Sequence, residues 1–228
     1  MLSLTFSTPP GQPTRILCLG AHADDIEIGC AGTLLRLLGN GHDVEMRWVV
    51  FSAPGARRRE AQGSARRFLN GATGSRVLVK QFRDGFFPYF GARIKECFES
   101  LKRLPPPDLI FTHYHGDRHQ DHRLISELTW NTFRNHLVLE YEIPKYDGDL
   151  GSPNVFMPLD DATQRRKTRH LWAAFPSQRH KPWFSEDTFA GLMRLRGIEC
   201  ASPGGYAEAF YTRKLILGPQ TPRNGGSR

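Results

Sequence analysis

No apolar run in this 228-residue chain is long enough to span a bilayer, which argues against a helical membrane protein. Met1 to Pro13 holds no basic segment ahead of an apolar core, so the sequence predicts no secretory signal and a cytoplasmic location. Cysteine is scarce. The four, at positions 18, 30, 97 and 200, are too dispersed for a disulfide framework or paired zinc-finger ligands, and they read as reduced, mostly buried thiols. The stretch Gly20 to Gly32 lacks the full glycine pattern of a nucleotide-binding loop. Internal repeats, low-complexity runs and linkers are also missing, and the length suits one domain over 1–228.

Charge of one sign is not lacking. Lys and Arg total 31 against 23 Asp and Glu, a formal net charge of +8. Short arginine clusters, Arg57 to Arg59, Arg66-Arg67 and Arg165-Arg166, come without aromatic interleaving or a nucleic-acid motif, so no nucleic-acid partner is expected. The excess favours an anionic or phosphorylated small substrate. Homo-oligomer formation stays open, because one sequence does not separate a surface patch from a core face.

Apolar runs alternate with helical patterns. Strands are predicted at Arg15 to Gly20, Val44 to Phe51, Val77 to Phe82, Asp108 to Thr112, His136 to Ile143 and Tyr206 to Leu217. Helices are predicted at Ile28 to Leu38, Arg57 to Leu69, Ile94 to Leu104, from His119 to about Thr132, and at Asp160 to Phe175 and Ser185 to Arg196. Residues 1–14 read as an irregular lead-in, Pro144 to Pro158 as a long loop, and 218–228 as a flexible tail. The class is α/β: a three-layer Rossmann-like fold, its mostly parallel sheet covered by helices on both faces. Ligands bind such sheets at the carboxyl ends of strands.

Two short segments follow predicted strands and can meet at that rim: Ala21-His22-Ala23-Asp24-Asp25 and His119-Gln120-Asp121-His122. His22 and Asp25 lie three residues apart across a turn, and His122 can add a third bond, which leaves room for water at a catalytic zinc. Asp24 points elsewhere and can accept a proton from water activated at the metal. His119 shares a helix face with His122 and can stabilise an oxyanion or protonate a leaving amine. Asp121 can orient His119 and keep it cationic. His113 and His115 could instead bind metal with His119, but that set leaves Asp24, Asp25 and the helical pair unexplained. Two histidines and a carboxylate also suit a non-haem iron oxygenase, although that chemistry usually sits on a β-barrel. A metal-free sugar-nucleotide-binding module is a third reading, weakened because Asp24-Asp25 would repel phosphate.

The segment Ala-His-Ala-Asp-Asp-Ile-Glu-Ile-Gly-Cys-Ala-Gly-Thr-Leu, together with His-Gln-Asp-His, resembles the PIG-L/LmbE-like zinc deacetylases, whose motifs read Ala-His-Pro-Asp-Asp and His-x-Asp-His. The resemblance covers roughly the first 145 residues. It implies one Zn2+ per chain on His22, Asp25 and His122, with Asp24 as general base, His119 as electrophile or acid, and Asp121 in support. It implies hydrolysis of the acetamide of an N-acetylated amino sugar. It also matches Arg57, three residues before Glu60-Ala61, to a substrate-side arginine, with Arg58 and Arg59 as alternatives. Ala23 departs from the family proline and carries no ligand atom. Within residues 144–228 the chain offers aromatic and polar groups for substrate selection. Glu142 and Glu208, charged residues in strand patterns, are the stronger substrate-binding candidates.

Overall fold

The computed structural model describes residues 3–5, 11–39 and 43–216. Residues 1–2 and 6–10 of the expected lead-in and the whole 218–228 tail lie outside the described residues, and the described 3–5 and 11–13 carry no strand or helix. The elements run β1 Thr14–His22, α1 Asp25–Gly39, β2 Val44–Ser52, α2 Ala56–Phe68, β3 Gly74–Val79, a 3-10 turn Phe87–Phe90, α3 Gly91–Lys102, β4 Leu109–His113, α4 Gln120–Thr132, β5 Leu137–Tyr141, β6 Val155–Leu159, α5 Asp161–Ala174, α6 Glu186–Glu199 and β7 Tyr206–Tyr211. The strands form one sheet in the order β3-β2-β1-β4-β5-β7-β6. β1 to β5 pair in parallel, whereas β7 is antiparallel to both β5 and β6.

Side-chain alternation sends β1 residues to two separate cores. Ile16 and Cys18 join a layer holding Ile26, Leu34, Phe68, Leu171 and Met193 from α1, α2, α5 and α6. Leu17 and Leu19 join Phe98 and Leu101 of α3 and Ile125 of α4 on the opposite face. The sheet is therefore mostly parallel and covered by helices on both faces, as the alternating pattern predicted.

Several local boundaries differ from expectation; β3, expected over Val77 to Phe82, runs Gly74–Val79. α1 begins at Asp25 and not Ile28, because the polar turn residues themselves supply its first turn. The loop expected over Pro144 to Pro158 contains most of β6, a sheet-edge strand that carries Pro158. The closing strand stops at Tyr211, well short of Leu217.

α1 lies unusually close to the sheet at its glycines. A Cβ on Gly29 would sit 2.2 Å from the Tyr141 ring, and one on Gly32 would sit 2.6 Å from Leu159. The ring has no room to yield, since Tyr141 donates its hydroxyl hydrogen to the Leu19 carbonyl at 2.6 Å.

Candidate metal centre

β1 is flanked by β2 on one side and β4 on the other, so the crevice beyond the carboxyl ends of β1 and β4 is the switch point of the sheet. β1 ends at His22 and β4 at His113. The turn after β1 presents Asp24, and Asp25 opens α1, its carboxylate accepting the His22 N–H at 2.6 Å. Across the crevice, His119 caps α4 and His122 lies in its first turn. The two segments predicted to converge do meet.

His22 Nδ1 lies 3.1 Å from His122 Nε2 and 3.4 Å from Asp25 Oδ2, and His122 Nε2 lies 3.6 Å from the same Asp25 oxygen. Bonds of about 2.0–2.2 Å to a tetrahedral ion set donor separations of about 3.3–3.6 Å, so this nitrogen, nitrogen, oxygen triangle fits one divalent cation. His22, His119 and His122 also gather within 4.8 Å of one another, as do Asp25, His113 and His122. His113 is the poorer ligand. Its Nε2 already accepts the Ala21 N–H at 3.0 Å, and the same atom lies 3.1 Å from Asp25 Oδ2. His115 turns away to Glu140 at 2.8 Å, and the His113, His115, His119 set is not assembled.

Each imidazole in the triangle is held from behind by a carboxylate, the arrangement that fixes ring orientation at metal sites. His22 Nε2 bonds Asp121 Oδ2 at 3.1 Å and also reaches Asp84 at 3.0 Å. His122 Nδ1 bonds Asp117 Oδ2 at 2.8 Å. Asp121 is itself fixed by the N–H groups of Gly85 at 2.7 Å and Phe87 at 3.0 Å. Gly85 supplies the φ of 76° that aims its N–H inward.

The protonation states are set unequally. Burial opposes ionisation of Asp25, but the imidazoles of His122, His113 and His22 that face it outweigh burial and hold the carboxyl well below its usual range. Burial, reinforced by His113, pushes His122 down to about 3. Burial also works against a proton on His22, yet Asp25, Asp121 and Asp84 prevail and raise it well above the ordinary imidazole value. Asp84 is drawn down to about 2 by its His22 hydrogen bond.

Asp24 divides its two oxygens. Oδ1 accepts from Arg57 Nη2 at 2.5 Å, while the buried Oδ2 has no hydrogen-bond partner. Asp24 directly precedes Asp25, so this unpaired buried carboxylate oxygen belongs to the turn that joins two of the three donors, His22 and Asp25.

A model of the family described as PIG-L, GlcNAc-PI de-N-acetylase, matches residues 17–133, over half of the chain and inclusive of both His/Asp segments. The chain belongs to the PIG-L family. Membership places it among deacetylase enzymes. The PIG-L fold extends beyond the matched residues. A conserved protein of Thermus thermophilus, TT1542, superposes with a TM-score of 0.68 at 20% identity, over 91% of this chain and 98% of that one. N,N'-diacetylchitobiose deacetylase from Pyrococcus horikoshii gives 0.62 at 20% identity, over 87% and 83%. A 4-carboxy-2-hydroxymuconate hydratase, GalB from Pseudomonas putida, gives 0.65 at 15% identity, over 91% and 99%. These likenesses show the fold, and the hydratase shows why fold alone does not name the reaction.

Three sequence expectations need correction within the PIG-L frame. Asp121 does not pair with His119: its carboxylate serves His22 and two loop amides. His119 is not kept cationic either. Burial and then the His22 charge lower its pKa, and Asp121 does not reverse that. The Asp121 N–H donates to His119 Nδ1 at 3.2 Å, which leaves the ring proton on Nε2.

The other correction concerns the two buried glutamates. Glu208 accepts from the Gly32 and Thr33 N–H groups, the Thr33 hydroxyl and Lys167, at 2.6–2.7 Å. Glu142 is clamped by Arg196 at 2.6 and 2.9 Å and by the Tyr211 hydroxyl at 3.1 Å. Both are structural ion pairs with their oxygens already engaged, and neither is free to bind substrate. Asp117 and Asp84 went unassigned in the sequence. A carboxylate five residues before His122 was the one available signal for Asp117.

Proposed function

We propose that this enzyme is a zinc-dependent hydrolase that removes the N-acetyl group from an N-acetylhexosamine-containing substrate, whether sugar, sugar nucleotide, glycan or glycosylated natural product. The observation that carries the reading is the His22, Asp25, His122 donor triangle, with the unpaired buried oxygen of Asp24 on the turn that joins His22 to Asp25. One divalent cation held by those three residues supplies Lewis acidity and water activation at neutral pH.

The chain's own groups account for the proton movements. Arg57 fixes the Asp24 carboxylate through Oδ1, so Oδ2 is the oxygen that takes a proton from the attacking water. Neutral His119 presents Nε2–H to the carbonyl oxygen as negative charge develops there. Asp24 then carries its proton to the departing amine, giving acetate and the free amino sugar. Asp121 and Asp117 orient the ligating imidazoles. The formal net charge of +8 favours an anionic or phosphorylated substrate. Among the described residues no helix is long and apolar enough to cross a membrane. The reading includes action as one domain in the cytoplasm, with selectivity supplied by residues from 144 onward.

The test is acetate release from a panel of N-acetylated hexosamines, free, phosphorylated and nucleotide-linked, by protein stripped of metal and then reloaded with zinc. Release that depends on zinc and vanishes in Asp24→Asn is the expected result. No release from any member by protein carrying one zinc would overturn the substrate class.

A further inference from the structure

Behind His122 the donor chain continues past Asp117. Asp117 Oδ2, the oxygen that accepts from His122 Nδ1 at 2.8 Å, also takes an ion pair from Lys145 Nζ at 3.1 Å. Lys145 follows β5, in the segment ending before β6, and its side chain is only 7% exposed. The same ammonium meets Asp149 Oδ2 at 2.6 Å. That oxygen also accepts the backbone N–H of Arg118 at 2.7 Å, on the loop that carries Asp117. Asp117 Oδ1 accepts the His119 N–H at 2.7 Å. Two loops, 114–119 and 144–154, are thus stitched together at the back of one metal-binding imidazole.

We propose that Lys145, held by Asp149, is a positioning residue for the metal centre: it fixes Asp117, and Asp117 fixes His122. The reason is electrostatic as well as geometric. Asp117 and Asp149 are nearly buried carboxylates sharing one ammonium, with Asp147 a further 3.8 Å from it. Without the cation their like charges repel at low dielectric, and Asp117 is the member whose displacement releases an imidazole. The ammonium does draw some electron density from the oxygen that His122 uses. That weakening is small beside loss of the oxygen's position, because an orienting partner acts through direction. Lys145 touches no reacting atom. Its effect reaches the metal through two intervening groups, and a segment outside both His/Asp motifs thereby helps to set metal affinity.

The inference rests on His122 being a metal ligand, as in the proposed function. The experiment compares full-length wild type, Lys145→Met, Lys145→Arg and His122→Ala. Zinc dissociation constants are read by chelator competition, and the cobalt-substituted forms by their visible absorption. Lys145→Met should bind zinc about 10–100-fold more weakly, the usual cost of losing an outer partner, with altered cobalt bands. Lys145→Arg should recover most of the affinity, which a mere filling of space by Met would not do. A folded Lys145→Met with wild-type zinc affinity and cobalt spectrum overturns the proposal. If Lys145→Met does not fold, Asp149→Asn is measured in its place, since it removes the carboxylate that holds the ammonium; wild-type affinity there overturns the proposal equally. Unchanged zinc binding in His122→Ala would instead sink the metal centre and the proposed function with it.

Discussion

Glu208→Gln separates two roles that a buried carboxylate in a strand can have. Around the Glu208 carboxylate stand four donors: the Gly32 and Thr33 N–H groups, the Thr33 hydroxyl and the Lys167 ammonium. Glutamine offers one oxygen and one NH2 group, so at least one donor must face another donor. Lys167 also bonds the Ile28 carbonyl at 2.6 Å, but its side chain is 3% exposed and its charge would be left without a counter-ion. Removing one member of a buried pair costs about 3–5 kcal/mol. For a chain of this length each kcal/mol lowers Tm by about 2–4 °C, so the variant should melt roughly 6–20 °C below wild type. KM of the folded variant should stay within about twofold, given that Glu208 has no oxygen to spare for substrate. Thermal unfolding of the zinc-loaded proteins, followed by KM measurement below the transition, decides the matter. An unshifted Tm with a strongly raised KM would refute the structural reading and return Glu208 to the substrate.

Other outcomes follow from the centre itself. Asp24→Asn should retain one zinc per chain by elemental analysis yet lose about 10²–10⁴-fold in kcat, the contribution of a general base; unchanged turnover would remove Asp24 from the mechanism. Arg57→Ala frees Asp24 Oδ1, and loss of a charge-assisted bond worth about 1.5–3 kcal/mol should lower kcat/KM roughly 10–100-fold in steady-state assays. Asp121→Ala should weaken zinc binding about 10–100-fold in chelator competition, because His22 loses its buried orienting carboxylate and keeps only the exposed Asp84. Zinc uptake should be pH-dependent with a defined sign: Asp25 is held ionised and His122 neutral, whereas His22 retains a proton to unusually high pH. Metal must displace that proton, so apparent affinity should fall about tenfold for each pH unit below the raised His22 pKa. A flat profile by calorimetry across that range would contradict the protonation scheme.

The central crossover units were legible because each carries a short apolar strand and a helix with clear ends. The convergence of His22, Asp25 and His122 followed from placing both motifs at strand termini, where a parallel sheet gathers its loops. β6 was hidden by Pro158, a turn-forming residue that an edge strand tolerates because one side of it is unpaired, and by Asn154 just before its start. Glu142 and Glu208 were misread for a different reason. A charge in a buried strand signals a missing partner without saying whether that partner is a ligand or a distant side chain. Here the partners are Arg196 on α6 and Lys167 on α5, 54 and 41 residues away. Asp121 sits two residues from His119 in sequence, but the helix start turns its carboxylate toward His22 and the Gly85 loop. Lys145 could not have been found by spacing, because its link to His122 passes through a third residue on another loop.

The close seating of α1 gives the chemistry a weak point that contains no polar atom. Asp25 is the first residue of that helix, and Gly29, one turn further on, rests against a Tyr141 ring anchored at its far end. A single methyl group added at Gly29 would push the helix off the sheet and draw one corner of the donor triangle away from the other two. Such a substitution would present in the laboratory as a failure to retain metal, although every ligand, base and orienting carboxylate would still be in the chain.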